Sequence, residues 1–129
     1  MAPELNHTIV WCSDQVRSSA FLADMLGLGS PSRFAHFDVV ELGNGVSLDF
    51  ASKEGPIAHQ HYAFLVDDAA FDRGLARIER DGLAYWADPG REKPGEINRH
   101  WGGRGVYFED PDGHLLELIT KPYGSEDNP

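Results

Sequence analysis

Cysteine is all but missing: Cys12 is the one thiol in 129 residues. A disulfide within the chain is thereby excluded, and a reducing compartment, the cytoplasm, is expected. Lysine is scarce too. Lys53, Lys93 and Lys121 stand beside eight arginines, and these 11 basic residues face 21 acidic ones for a formal net charge of -10. No basic stripe is available to neutralise phosphates, which argues against a nucleic-acid surface and fits a soluble protein that repels itself or one whose ligand is neutral or cationic. Long apolar runs are also lacking. The longest reach about five residues, against the roughly 20 that span a bilayer, so no membrane association is expected. Glu4 stands where a secretory leader would carry Lys or Arg, so no export is expected. What is there, 41% hydrophobic and 25% charged residues, is the balance of one folded domain.

The chain repeats itself weakly. Asn6–Asp14 aligns with Gln60–Asp68 at an offset of 54, and each reads as an apolar strand that opens on His (His7, His61) and closes on Asp. A helical pattern follows each strand, with apolar residues at Val16, Ala20, Phe21 and Leu26 in the first and Phe71, Leu75 and Ile78 in the second. Ser13 or Asp14, and Asp67 or Asp68, suit the N-caps. Gly27-Leu28 and Gly82-Leu83 suit the ends, because glycine favours the position just past a helix. Farther on, Gly45–Ala51 aligns with Gly113–Ile119 at an offset of 68, each preceded by a hairpin turn, Gly43-Asn44-Gly45 and Pro111-Asp112-Gly113. The expected fold class is α+β, with two βαβββ modules over about 1–56 and 57–123 in a single domain, and a polar tail at 124–129. The growth in offset inserts 14 residues between Leu83 and Gly105, an enlarged loop suited to wall a cleft.

Strand alternation assigns faces. His7, Ile9 and Trp11 share one; His59, His61 and Ala63 share another. Asp49 lies between Leu48 and Phe50 as Glu117 lies between Leu116 and Leu118. A carboxylate set into an apolar strand is costly unless paired or bound to a cation. The repeat thus matches His7 with His61 and Asp49 with Glu117. Two imidazoles and one or two carboxylates form a divalent-metal set that leaves positions for water or substrate. Zinc, nickel, manganese and iron all suit it. In the enlarged loop, Trp101 between Arg99 and Arg104 offers an aromatic plate and donors for a ligand. His59 is expected at a rim, His114 at a turn or on the surface, and His36 and His100 along the cleft. Cys12 should face away from the metal, and alternation directs Tyr62 and Tyr107 away from His61 and Glu117.

Val106–Leu118, with its Glu109-Asp110-Pro111-Asp112-Gly113-His114 core, and His61–Asp68 resemble the vicinal oxygen chelate superfamily of glyoxalase I, extradiol dioxygenases, fosfomycin-modifying enzymes and bleomycin resistance proteins. The resemblance runs from Leu5 to about Lys121. It implies two βαβββ modules curled into a cup, with His7, His61 and Glu117 as a facial metal triad and Glu117 as the catalytic carboxylate. Asp49 stands where the glyoxalase I branch has a fourth ligand. The implied activity is that of a metal-dependent isomerase, lyase or dioxygenase on a small oxygen-chelating substrate. Asp49 leans towards the glyoxalase type, and the want of basic residues after Glu117 speaks against fosfomycin thiol transfer. The rival is a resistance protein that sequesters an antibiotic without catalysis in the cleft of a dimer. A homodimer is expected in either case.

Overall fold

The computed structural model describes residues 1–126; the last three residues of the polar tail, 127–129, lie outside the described residues. The chain divides into two compact units. One holds Met1–Asp24 and Leu28–Ala58, and the other holds Met25–Gly27 and the chain from His59 onward.

The first unit runs β1 (His7–Cys12), α1 (Gln15–Met25), β2 (Ser32–Phe34), β3 (Phe37–Glu41) and β4 (Ser47–Ser52). Its sheet has the order β1-β4-β3-β2, with β1 and β4 parallel and the other pairs antiparallel. Asp14 Oδ1 accepts from the amides of Val16 and Arg17 at 3.1 and 3.2 Å and so caps α1. Gln15 and Ser52 exchange two bonds that tie the helix start to the end of β4. Val10, Cys12, Leu22, Leu48 and Phe50 are buried. Cys12 is therefore a core side chain.

The second unit repeats the plan as β5 (His61–Leu65), α2 (Asp68–Arg80), β6 (Tyr85–Trp86), β7 (Gly105–Glu109) and β8 (Leu115–Ile119). The sheet order is β5-β8-β7-β6, again with the first pair parallel. Each unit is thus a βαβββ module, and the fold is α+β. Asp67 caps α2 by accepting from the Ala70 amide at 2.7 Å. The helix stops where Leu83 N–H reaches back to the Ile78 carbonyl at 3.0 Å across left-handed Gly82. Phe71, Ile78, Phe108, Leu116 and Leu118 form the core. Gly74 lets α2 sit close on β8: a Cβ there would lie 2.6 Å from Leu118 Cδ1.

The β7–β8 hairpin sets the register that matters for the site. Asp110 N–H donates to the His114 carbonyl at 3.0 Å, and Gly113 takes the left-handed position of the turn. Tyr107 then pairs with Glu117, and Ala63 pairs with Glu117 from the other side. His114 follows the hairpin turn, one of the two places expected of it, but it is not on the surface. It is 1% exposed, and its Nδ1 accepts from the Gln60 amide at 2.9 Å. It serves as a core clamp between β5 and the hairpin turn, with Tyr62 edge-on at 6.1 Å between ring centroids. Beside it Asp110 accepts from the amides of Asp112 and His114 at 2.9 Å. Burial raises the Asp110 carboxyl above its ordinary range against these bonds.

Candidate metal centre

The second unit holds a cleft of about 550 Å³ lined by His61, Trp101, Tyr107, Glu117, Lys121 and Tyr123, with Asn98, His100 and Arg104 among the rest. Glu117 and His61 come from neighbouring strands of one sheet. Their contact follows from the parallel β5–β8 pairing, which sets His61 opposite Leu115 and Ala63 opposite Glu117. His61 Nε2 lies 3.1 Å from Glu117 Oε1, and His61 Nδ1 lies 2.9 Å from the Leu115 carbonyl oxygen. A carbonyl oxygen only accepts, so Nδ1 carries the hydrogen and Nε2 is the nitrogen left for another partner. A neutral ring then turns a lone pair towards a carboxylate oxygen. Two facing acceptors need a proton or a cation between them.

The donor set fits a divalent ion. Bonds of about 2.0–2.2 Å to an imidazole nitrogen and a carboxylate oxygen, near a right angle, leave those two atoms about 3 Å apart. The second ring nitrogen bound to a backbone carbonyl is the usual support of a metal-bound histidine.

Tyr107 belongs to this site, against the expectation from alternation. Its ring stacks on His61, with centroids 6.0 Å apart and planes 25° from parallel, and it lines the cleft as the cross-strand partner of Glu117. Burial first, then the neighbouring Glu117 carboxylate, push the phenol up to about 12. The hairpin register was the signal that could have found it, because cross-strand partners share a face.

The enlarged loop closes on itself. Asn98 and Gly105 exchange backbone bonds of 2.9 and 3.0 Å, and Asn98 Nδ2 holds the Ala87 carbonyl at 2.8 Å. Trp101 sits at the crest in a left-handed conformation, φ 62°, edge-on to Tyr123 at 5.5 Å. A bulky side chain rarely adopts that conformation, and it costs on the order of 1–2 kcal/mol. The two flanking arginines behave differently from the expectation that both reach a ligand. Arg104 lines the cleft, but its guanidinium donates to Asp72 at 2.7 Å and Asp68 at 2.9 Å and lies 4.4 Å from the centroid of the Phe71 ring. Arg99 is exposed and does not line the cleft. His100 does line it.

The remaining candidates lie in the first unit. His7 pairs with Ser47 and Ile9 with Asp49, so His7 and Asp49 share a face. His7 Nδ1 bonds Asn6 Oδ1 at 2.7 Å; Asp49 is 8% exposed and accepts from Ser47 Oγ at 3.0 Å. His36 packs on Phe37 in that unit. His59, expected at a rim, lies against the Gly113 backbone. Within neither unit do three His, Cys, Asp or Glu side chains of the described residues converge closely enough to hold an ion. No helix of the described residues is long and apolar enough to cross a membrane.

Residues 4–118 match the sequence profile of the glyoxalase/bleomycin resistance protein/dioxygenase superfamily. The chain is 32% identical over 124 residues to a glutathione transferase FosA of Serratia marcescens, covering 92% of this chain and 81% of that protein. It is 31% identical over 100 residues to a metallothiol transferase FosB of Shouchella clausii, covering 78% and 64%. Among solved structures, the oxidase ChaP-H1 superposes with a TM-score of 0.94 at 57% identity, over 96% of this chain and all of that one.

Proposed function

Because the chain belongs to the glyoxalase/bleomycin resistance protein/dioxygenase superfamily, we propose that it is a divalent-metal-dependent oxidase acting on a small aromatic molecule with two adjacent oxygens. The observation that carries this reading is the facing of His61 Nε2 and Glu117 Oε1 at 3.1 Å in a cleft lined by aromatic rings. Identity of 57% with an oxidase over nearly the whole chain directs it towards oxidation. His61, Glu117 and His7 are the proposed ligands, with Asp49 as a fourth candidate. An ion held by these residues would supply Lewis-acid polarisation of chelated substrate oxygens and, if redox-active, electron exchange with dioxygen, which favours iron or manganese over redox-inert zinc.

The chain's own residues do the rest. The Leu115 carbonyl fixes the His61 ring. Tyr107 stays protonated beside the Glu117 carboxylate. Trp101 and Tyr123 supply flat surfaces that orient a ring and exclude water. Fosfomycin-type thiol transfer has the support of 32% identity to FosA. It asks for a cluster of cations around a phosphonate, and Arg104 is already neutralised by Asp68 and Asp72. Drug sequestration would need the same cleft but no metal.

We take residues 1–123 as one functional domain, since the family match spans both units, and place it in the cytoplasm as a homodimer. Oxygen uptake by the iron-loaded protein with a panel of aromatic vicinal diols tests the reading. Turnover that disappears in Glu117→Ala is the expected result. Tight binding with no oxygen uptake under any metal would favour sequestration instead.

A further inference from the structure

Arg99 and Arg104 in the enlarged loop and Lys121 beyond it are the cations placed nearest a ligand in the second unit. Arg99 is turned out and Arg104 is spent on α2. Lys121 lines the cleft, and among the described residues it has no carboxylate partner. It stands two residues beyond the end of β8, and Glu117, Ile119 and Lys121 all line the cleft. Four residues of chain separate the Glu117 and Lys121 backbones by at most roughly 14 Å.

The lysine stem is also built in. Gly103 has φ -130° and ψ -150°, an extended conformation open to any residue. Glycine is required there for a different reason: a Cβ would fall 2.6 Å from Lys121 Cγ and 2.6 Å from Thr120 Oγ1. The loop therefore rests directly on the Lys121 stem. Part of the entropy of ordering that side chain is lost before a ligand arrives.

We propose that Lys121 is a specificity residue that pairs with an acidic group on the substrate. The substrate class is then an aromatic vicinal-oxygen compound bearing a carboxylate or similar oxyanion remote from the chelating oxygens. The inference rests on the ligand class proposed above. The overall charge of -10 does not oppose it strongly, because distant surface charges are screened beyond about 8 Å at physiological salt while a contact pair inside a cleft is not.

The probes are 2,3-dihydroxynaphthalene and 6,7-dihydroxynaphthalene-2-carboxylate, titrated into the zinc-loaded protein and followed by tryptophan fluorescence. The carboxylate should bind at least about ten-fold more tightly than the neutral diol, an advantage that salt erodes. Lys121→Met keeps the stem and should reduce the preference to within about two-fold while leaving the neutral diol unchanged; Lys121→Arg should restore it. Equal binding of both probes to the wild type, or equal weakening of both by Lys121→Met, overturns the role of Lys121 and leaves the diol site standing. Failure of both probes to bind protein that holds its metal overturns the ligand class and this inference together.

Discussion

Tyr107 is the residue whose chemistry depends most on its surroundings. Its phenol is raised from 10.0 to about 12 by burial and by Glu117. In metal-free protein the folded state thus holds a proton that the unfolded state has lost, so this group's contribution to stability falls as pH rises from about 10 through about 12. Tyrosinate absorbance of the wild type minus that of Tyr107→Phe should show a midpoint near 12; a midpoint near 10 would mean that the hydroxyl is neither buried in the cleft nor near the Glu117 charge. His61 and Glu117 were legible in the sequence because the repeat marked them. Tyr107 was not, since alternation counted along one strand is silent about a partner strand until the turn fixes the register. The burial of His114 was missed for a related reason. A polar residue after Asp-Gly resembles a turn surface, and only the Gln60 amide donating to its Nδ1 shows why it is buried.

At the scale of elements, the two helices and the paired hairpins followed from caps, Gly-Leu stops and Gly turns, each of which has a local cause. The short strands β2 and β6 carry no such signal, and their pairing to β3 and β7 supplies what their sequences do not. Gly74 is a case where packing overrides propensity. Gly74→Ala would ordinarily gain about 1 kcal/mol of helix preference, but the new methyl meets Leu118 Cδ1, itself buried in the core. A net loss of about 1–2 kcal/mol is expected from denaturant unfolding; a gain would show that α2 stands off β8. The enlarged loop gives the opposite sign. Trp101→Gly and Trp101→Ala remove the same ring, so their difference isolates the left-handed backbone. Glycine should be the more stable of the two by about 1 kcal/mol, the reverse of the usual order, and thermal unfolding of both variants decides it. Both should weaken ligand binding.

At the scale of the whole molecule, the first unit presents Ile9 and Trp11, 38% and 48% exposed, beside His7 on the edge strand β1, with Phe34 71% exposed on β2. Exposed apolar side chains on edge strands call for a cover, and a second copy in the proposed homodimer would supply one with twofold symmetry. Sedimentation should give twice the chain mass of 14.3 kDa, and Trp11→Asp should return it to the single-chain value. A wild-type mass of one chain at micromolar concentration would contradict the dimer. The repeat made the paired architecture readable from sequence, whereas the use of the arginines was not readable: Asp68 and Asp72, which neutralise Arg104, lie more than 30 residues away on α2.

His61 and Glu117 are proposed as two ligands of one divalent ion. Calorimetric titration of the purified, chelator-treated protein with manganese measures it without reference to any substrate. One ion per chain is expected, with affinity lowered by about 100-fold or more in His61→Ala, Glu117→Ala and His7→Ala and within about two-fold of wild type in His59→Ala. Undiminished manganese binding by a folded Glu117→Ala protein would contradict it.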